Sequence, residues 1–218
     1  MKNIFSYLFP IQLKSYQSKL NGQLEVNLIN GKKTLDTAIS NYSYGSLQKI
    51  LKAGLEEIGL SRSTENILVL GLGAGSIIET VRKDFNSNCF IELVEIDEEI
   101  IRIAESDFNV NSFENIHITN VDALEYLKQT DTTFEIIVVD IFIVNTIPEA
   151  FTQAAFIKDL CKHLKPNGKV IYNTIAETFS AKELNNIKQL FIENSLAARI
   201  LKDVEWTNNL VIAEKERR

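Results

Sequence analysis

Four acids, Glu95, Asp97, Asp122 and Asp140, stand at or just beyond the ends of apolar runs, and an earlier run closes in Gly71-Leu72-Gly73-Ala74-Gly75. Acids scattered over a surface would not fall at one run end after another. An ionised carboxylate at such a point can accept both hydroxyls of a ribose, receive an amino group, or take a proton from a nucleophile. Gly71 and Gly73 allow a tight turn without a Cβ in the way, and Gly75 lets a following helix start close to a ligand or a neighbouring strand. Glu95 ends the run that follows the glycines, where it would meet ribose hydroxyls. Asp122 either receives an adenine amino group or caps the helix-like "ALEYLK" after it. Asp97 has the same two readings, site acid or helix cap.

The spacing narrows the ligand. A phosphate-cradling P-loop needs Lys-Ser/Thr after its glycines, and none follows here. A nicotinamide dinucleotide fits the glycines alone. However, a pocket lined by acids repels a pyrophosphate and suits a cation, which favours an adenosyl-sulfonium group. No Tyr-x-x-x-Lys or comparable hydride machinery is present, and no Asp/Asn-Pro-Pro-Tyr motif of the kind RNA methyltransferases carry.

The elements that must position these residues are legible in the periodicity. Residues 24–38, "LEVNLINGKKTLDTA", read as strand, Asn30-Gly31 turn and strand, a hairpin capping the main domain. Residues 43–59 place Leu47, Ile50, Leu51, Leu55 and Ile58 on one helical face. Strand and helix then alternate: "NILVLG", "SIIETVRKDF", "CFIELVEI", "DEEIIRIAESDF", "NIHITNVD", "ALEYLKQ", "FEIIVVD", "TQAAFIKDLCKHL", "KVIYNTI", "SAKELNNIKQLFIENS". Near-continuous apolar strands separated by helices predict a parallel sheet covered on both faces, with right-handed crossovers. The last two strands, "ARILKDV" and "NNLVIAEKE", are joined by only "EWTN", too short for a parallel crossover, so the final strand is expected to run antiparallel. That strand is foreign to the usual dinucleotide-binding sheet. In an open parallel sheet a ligand lies beyond the carboxyl ends of the strands, where the acids and the glycine loop fall. We divide the chain into an N-terminal segment with a β-hairpin, 1–42, and a main domain, 43–218.

Composition sets outer limits. The 218 residues are 45% hydrophobic and 24% charged, a globular balance able to bury a full core. The net charge of -6 argues against a broad nucleic-acid footprint. Cys89 and Cys161, with only two histidines, His117 and His163, match no metal or redox spacing, so no metal is expected. The start shows no signal-peptide pattern and no run reaches membrane-span length; a cytoplasmic protein acting on a small molecule, without nucleic acid or membrane, is expected.

The stretches "ILVLGLGAGS", "IELVEIDEEIIRIA", "ITNVDALEYLK", "FEIIVVDIF", "IPEAFTQAAFIKDLCKHLKPNGKVIYN" and "NNLVIAEK" together resemble the spermidine synthase-like branch of the class I S-adenosylmethionine-dependent methyltransferase fold. The resemblance runs from about residue 20 to residue 214. It implies an α/β fold: a seven-stranded, mostly parallel Rossmann-like methyltransferase sheet with an antiparallel last strand, preceded by a small N-terminal β-hairpin and helix. The implied cofactor is S-adenosylmethionine or its decarboxylated form, and the implied assembly a homodimer. Cofactor binding would fall to Gly71, Gly73, Gly75, Glu95 on the ribose, Asp122 on the adenine amino group, and Ala123 beside it. Asp140 would steer or deprotonate the nucleophile. Tyr42 and Tyr44 either line the acceptor pocket or pack in the hairpin.

Three departures qualify the activity. The glycine loop, Gly73-Ala74-Gly75-Ser76, holds no acid, where aminopropyltransferases of the family carry an aspartate for the cofactor amine. Ile143 stands three residues after Asp140, where they carry a second acid for the polyamine. "YSYG" replaces their Tyr-His pair. A dicationic substrate needs several acceptors, since burying an unpaired ammonium is costly. The expectation is therefore methyl transfer to a small acceptor; the alternatives are aminopropyl transfer from the decarboxylated cofactor and a non-catalytic adenosyl-binding scaffold. Asn173 is read as structural. Trp206 is open between dimer packing and substrate contact.

Overall fold

The structure is a computed structural model and describes residues 5–37, 41–43 and 45–216, with only the backbone of 41–43 and 46. Strands β1 (Ile11–Ser18), β2 (Gly22–Ile29), β3 (Lys32–Thr37) and β4 (Asn41–Ser43) form an antiparallel meander in that order. The predicted hairpin is its centre, Ile29 pairing Lys32 across Asn30 and Gly31, both at positive φ as a two-residue hairpin turn requires. The flanking strands β1 and β4 were not anticipated. β1 is mostly solvent-facing and lacks the apolar alternation that would have marked it.

Helix α1 (Ser46–Glu57) leads into the main sheet. In chain order come β5 (Asn66–Leu70), α2 (Ser76–Glu79), β6 (Phe90–Glu95), α3 (Glu98–Phe108), β7 (Ile116–Asn120), α4 (Ala123–Gln129), β8 (Phe134–Val139), α5 (Ala154–Lys162), β9 (Leu164–Ile175), α6 (Ala181–Glu193), β10 (Leu196–Val204) and β11 (Asn208–Lys215). The seven strands lie in the order β10-β11-β9-β8-β5-β6-β7, and β11 runs antiparallel to both its neighbours. This is the Rossmann-like methyltransferase sheet, with the reversed final strand where it was expected.

Two boundaries differ from the periodicity. The helix predicted over 76–85 is regular only through Glu79 and continues as a π-turn, Thr80–Asp84. Thr80 Oγ1 bonds back to the Ser76 carbonyl, and the Arg82 guanidinium reaches the carbonyls of Ser87, Cys89, Glu114 and Asn115. The strand predicted as "KVIYNTI" starts earlier, at Leu164, so that Lys165-Pro166-Asn167-Gly168 lies inside the long β9, with Asn167 at positive φ.

Alternate residues of each central strand feed two cores. Leu68, Leu70, Ile137, Val139, Val170 and Tyr172 pack under α4, α5 and α6. Ile67, Val69, Ile91, Leu93, Ile136 and Val138 pack under α1 and α2. Each such side chain contributes about 1.5–3 kcal/mol by leaving water. A third cluster joins the meander to the main domain: Leu24, Val26 and Leu35 meet Ile100 and Ile103 of α3 and Ala74 of the glycine loop. The meander therefore sits against the carboxyl ends of β5 and β6. No helix among the described residues is long and apolar enough to cross a membrane.

Candidate active site

A cavity of about 540 Å³ opens at the carboxyl ends of the strands. Gly71, Gly73, Glu95, Asp122, Ala123 and Asp140 all line it; Gly75 does not. The two outer glycines answer to the protein's own backbone. A Cβ at Gly71, φ +98°, would stand 2.2 Å from the Asp140 carbonyl oxygen, so the close approach of the chain leaving β5 to the chain leaving β8 requires glycine there. Gly75, φ +79°, forms the N-cap of α2, where a Cβ would come within 2.5 Å of Val110 Cγ1.

Glu95 is buried at the tip of β6. Its Oε2 accepts from the Leu72 N–H at 3.1 Å and its Oε1 from the Asp97 N–H at 2.9 Å. The carboxylate is thus locked to the glycine turn on one side and to the start of α3 on the other. Burial pushes its pKa up to about 7, and the backbone N–H groups of Asp97 and Leu72 pull against that. Asp122 caps α4: its Oδ1 accepts from the Leu124 N–H at 2.8 Å and the Glu125 N–H at 3.4 Å. It stands at the cavity wall as well as at the helix start. Asp97 caps α3 and is not among the lining residues. Its other oxygen accepts from the Ser18 hydroxyl and, at 2.8 Å, from the Asn21 amide, tying the β1–β2 turn to the main sheet.

Asp140 extends β8 by one ladder bond, its N–H donating to the Leu70 carbonyl at 2.8 Å. Asn173, in β9 and 1% exposed, donates from Nδ2 to Asp140 Oδ1 at 2.8 Å. Asn173 Oδ1 in turn accepts from Asn208 Nδ2 at 2.9 Å, and Asn208 Oδ1 from the Thr207 hydroxyl at 2.8 Å. This chain settles which way each amide faces. Burial pushes the Asp140 pKa up to about 6, against the Asn173 amide. Asn173, read from sequence as structural, is the residue that orients Asp140. Asn173 interrupts the apolar strand run "VIYNTI", and Asn208 is buried at the opening of "NNLVIA". A polar residue inside such a run must find a partner, and that was the available signal.

The far wall of the cavity is apolar. Ile141, Phe142, Ile143, Val144, Pro148, Phe151, Ile175 and Trp206 line it, with Glu177 exposed at the edge. Ile143 and Thr146 exchange backbone hydrogen bonds at 3.0 and 3.1 Å around a turn that holds Val144 at φ +61°. Asn21 reaches this turn, its Oδ1 accepting from the Val144 N–H at 3.1 Å. One asparagine of the meander thereby bridges the start of α3 and the loop after β8, a role that no local pattern announces. Asn145 is not at the wall. Trp206 is 91% exposed at the cavity edge. The Tyr42 side chain and Tyr44 lie outside the described residues.

The spermine/spermidine synthase domain profile matches residues 50–202. The chain belongs to that family. It is 27% identical over 142 residues to a polyamine aminopropyltransferase of Oceanobacillus iheyensis, a match covering 56% of this chain and 27% of that protein. The first curated relatives are longer: the chain spans 27%, 23% and 38% of three of them. Among solved structures it superposes on spermidine synthase from Thermotoga maritima with TM-score 0.69, at 16% identity, covering 95% of this chain and 74% of that one. Human methyltransferase-like protein 13 in complex with SAH gives TM-score 0.59 at 18% identity, covering 78% of this chain and 79% of that one. At those identities the superpositions establish the fold.

Proposed function

We propose that the chain binds S-adenosylmethionine in this cavity and transfers its methyl group to a small-molecule acceptor. The observation that carries the reading is the gathering of Glu95, Asp122 and Asp140, from three different strand ends, around one cavity beside the glycine turn. Among the described lining residues there is no lysine, arginine or histidine, so the wall suits a sulfonium and opposes a pyrophosphate. The residues fit the cofactor. Glu95 would accept the ribose hydroxyls on oxygens already oriented by two N–H donors, Asp122 would face the adenine amino group beside Ala123, and Gly71 and Gly73 would leave room for the adenosyl group. The sulfonium supplies an activated carbon, which leaves the protein the tasks of alignment and exclusion of water. Asp140, held by Asn173, would receive the proton of the nucleophile.

Family membership and one observation favour a second reading, aminopropyl transfer from the decarboxylated cofactor. The described wall offers no cationic side chain to a methionine carboxylate. Against it, Ala74 lies fully buried in the meander core and Ile143 presents no acid. Calorimetric titration with S-adenosylmethionine and its decarboxylated form separates the two. Tighter binding of the carboxylated form is expected; preference for the decarboxylated form installs the second reading, and binding of neither overturns both. Glu95→Ala is expected to weaken adenosyl binding at least about tenfold, on the order of 1.4 kcal/mol; unchanged affinity removes Glu95 from the ribose.

A further inference from the structure

The half of the cavity beyond Asp140 is unlike the cofactor half, and its character specifies an acceptor. Its interior charge is one carboxylate, Asp140, which the Asn208–Asn173 chain holds in a single orientation. Around it stand Phe142, Ile143, Phe151 and Ile175, and Trp206 lies at the edge. Glu177 is the other acid on this side, and it is exposed, where water screens it. A polyamine carried inward would have to strip the water from two or more ammonium groups with one interior carboxylate on this side to pair with them, and an unpaired one is costly. An anionic nucleophile, such as a phenolate or carboxylate, would meet Glu95, Asp122 and Asp140 across the same space. An apolar body with one amine satisfies the wall and the acid together.

We propose that the acceptor is a monoamine with an aryl or alkyl body, its nitrogen at Asp140 and its body against the Phe142, Ile143, Phe151 and Ile175 wall, with Trp206 closing over it. The assignment rests on the methyl-transfer reading of the same cavity. The ammonium pairs with ionised Asp140 and passes it one proton. The nitrogen lone pair forms the new bond to the methyl carbon as the carbon–sulfur bond breaks, its electron pair remaining on sulfur. An N-methylated ammonium and a neutral thioether result, and the proton leaves Asp140 for solvent.

Trp206 is the only tryptophan of the chain and is 91% exposed, so its emission reports on this edge alone. The experiment first saturates the protein with S-adenosylhomocysteine, followed by calorimetry, then titrates 2-phenylethylamine, 1,4-diaminobutane and p-cresol while recording tryptophan emission. A saturable blue shift with 2-phenylethylamine, at a concentration at least about tenfold lower than for the other two, is expected. S-adenosylmethionine with the same amine should give the N-methyl product by mass spectrometry. Ile143→Asp, at a 39% exposed position that tolerates a charge, should narrow or reverse the preference toward the diamine. Tighter binding of the diamine or the phenol, or no response to the amine while S-adenosylhomocysteine binds, overturns the acceptor assignment and leaves the cofactor reading standing. Failure of S-adenosylhomocysteine to bind overturns both.

Discussion

The two halves of the cavity are held by different means. On the side of β5, β6 and β7 the acids lining the cavity are built into the ends of regular elements: Glu95 is clamped by the N–H groups of Leu72 and Asp97, and Asp122 by the first turn of α4. On the side of β8, β9 and β11 the wall is made of apolar side chains on connecting loops, with Val144 in a left-handed conformation that costs a β-branched residue about 1–2 kcal/mol. That loop keeps its shape through Asn21, contributed by another sheet. The comparison teaches that the side proposed to hold the adenosyl group is a property of the parallel sheet itself, while the side proposed for the acceptor depends on contacts made across the chain. Variation in the second can change the substrate and leave the first intact.

Four measurements test this contrast. Gly71→Ala should do the most damage, because its Cβ would collide with the backbone where the two halves meet and its φ suits glycine. A loss of about 4 kcal/mol or more and a Tm lowered by about 10 °C are expected; a melting curve that superposes on wild type would show that β5 and β8 can separate there at little cost.

The pH dependence comes next. The raised Glu95 pKa means that the folded chain keeps a proton which the unfolded chain has lost between 4.5 and about 7. The free protein is therefore most stable on the acid side of that window and loses on the order of 3 kcal/mol as pH rises through it. Asp140 adds to this in the same direction up to about pH 6. Adenosyl affinity should run the other way, rising through pH 7 and levelling above it, since ribose hydroxyls bind the ionised carboxylate. Urea unfolding at pH 5 and 8 beside calorimetric affinities checks both signs, and Glu95→Gln should flatten the binding curve.

Asp140→Asn should lower turnover about 100-fold with adenosyl binding unchanged, because it removes the proton acceptor from one half only. An equal loss of cofactor affinity would mean that the halves are not separable. The smallest effect is expected from Asn21→Ala, which deletes the bridge between Asp97 and the Val144 turn. Stability should fall by about 1–2 kcal/mol, and KM for the acceptor should rise several-fold while cofactor affinity holds. Matching changes in both would place Asn21 in the cofactor half.

What could be read from the chain and what could not divide along the same line. The order of strands and helices, the Asn30-Gly31 hairpin, the reversed last strand and the placement of Glu95, Asp122 and Asp140 at strand ends were legible, because periodicity and turn chemistry act over a few residues. Gly71 was marked as a special position, but its reason was not: the atom that excludes a side chain there belongs to Asp140, far along the chain. β1 was missed because its exposed residues carry no alternation. The amide chain from Asn208 through Asn173 to Asp140, and the bridge of Asn21 to Asp97 and Val144, join groups that only strand register and sheet docking bring together. The sequence by itself determined which residues could do chemistry and at which ends of which elements they stand, since those are local consequences of backbone geometry. The tertiary structure alone decided which of them face one cavity and which partners hold them there, since hydrogen bonds between distant segments depend on how the sheets pack and leave no periodic trace.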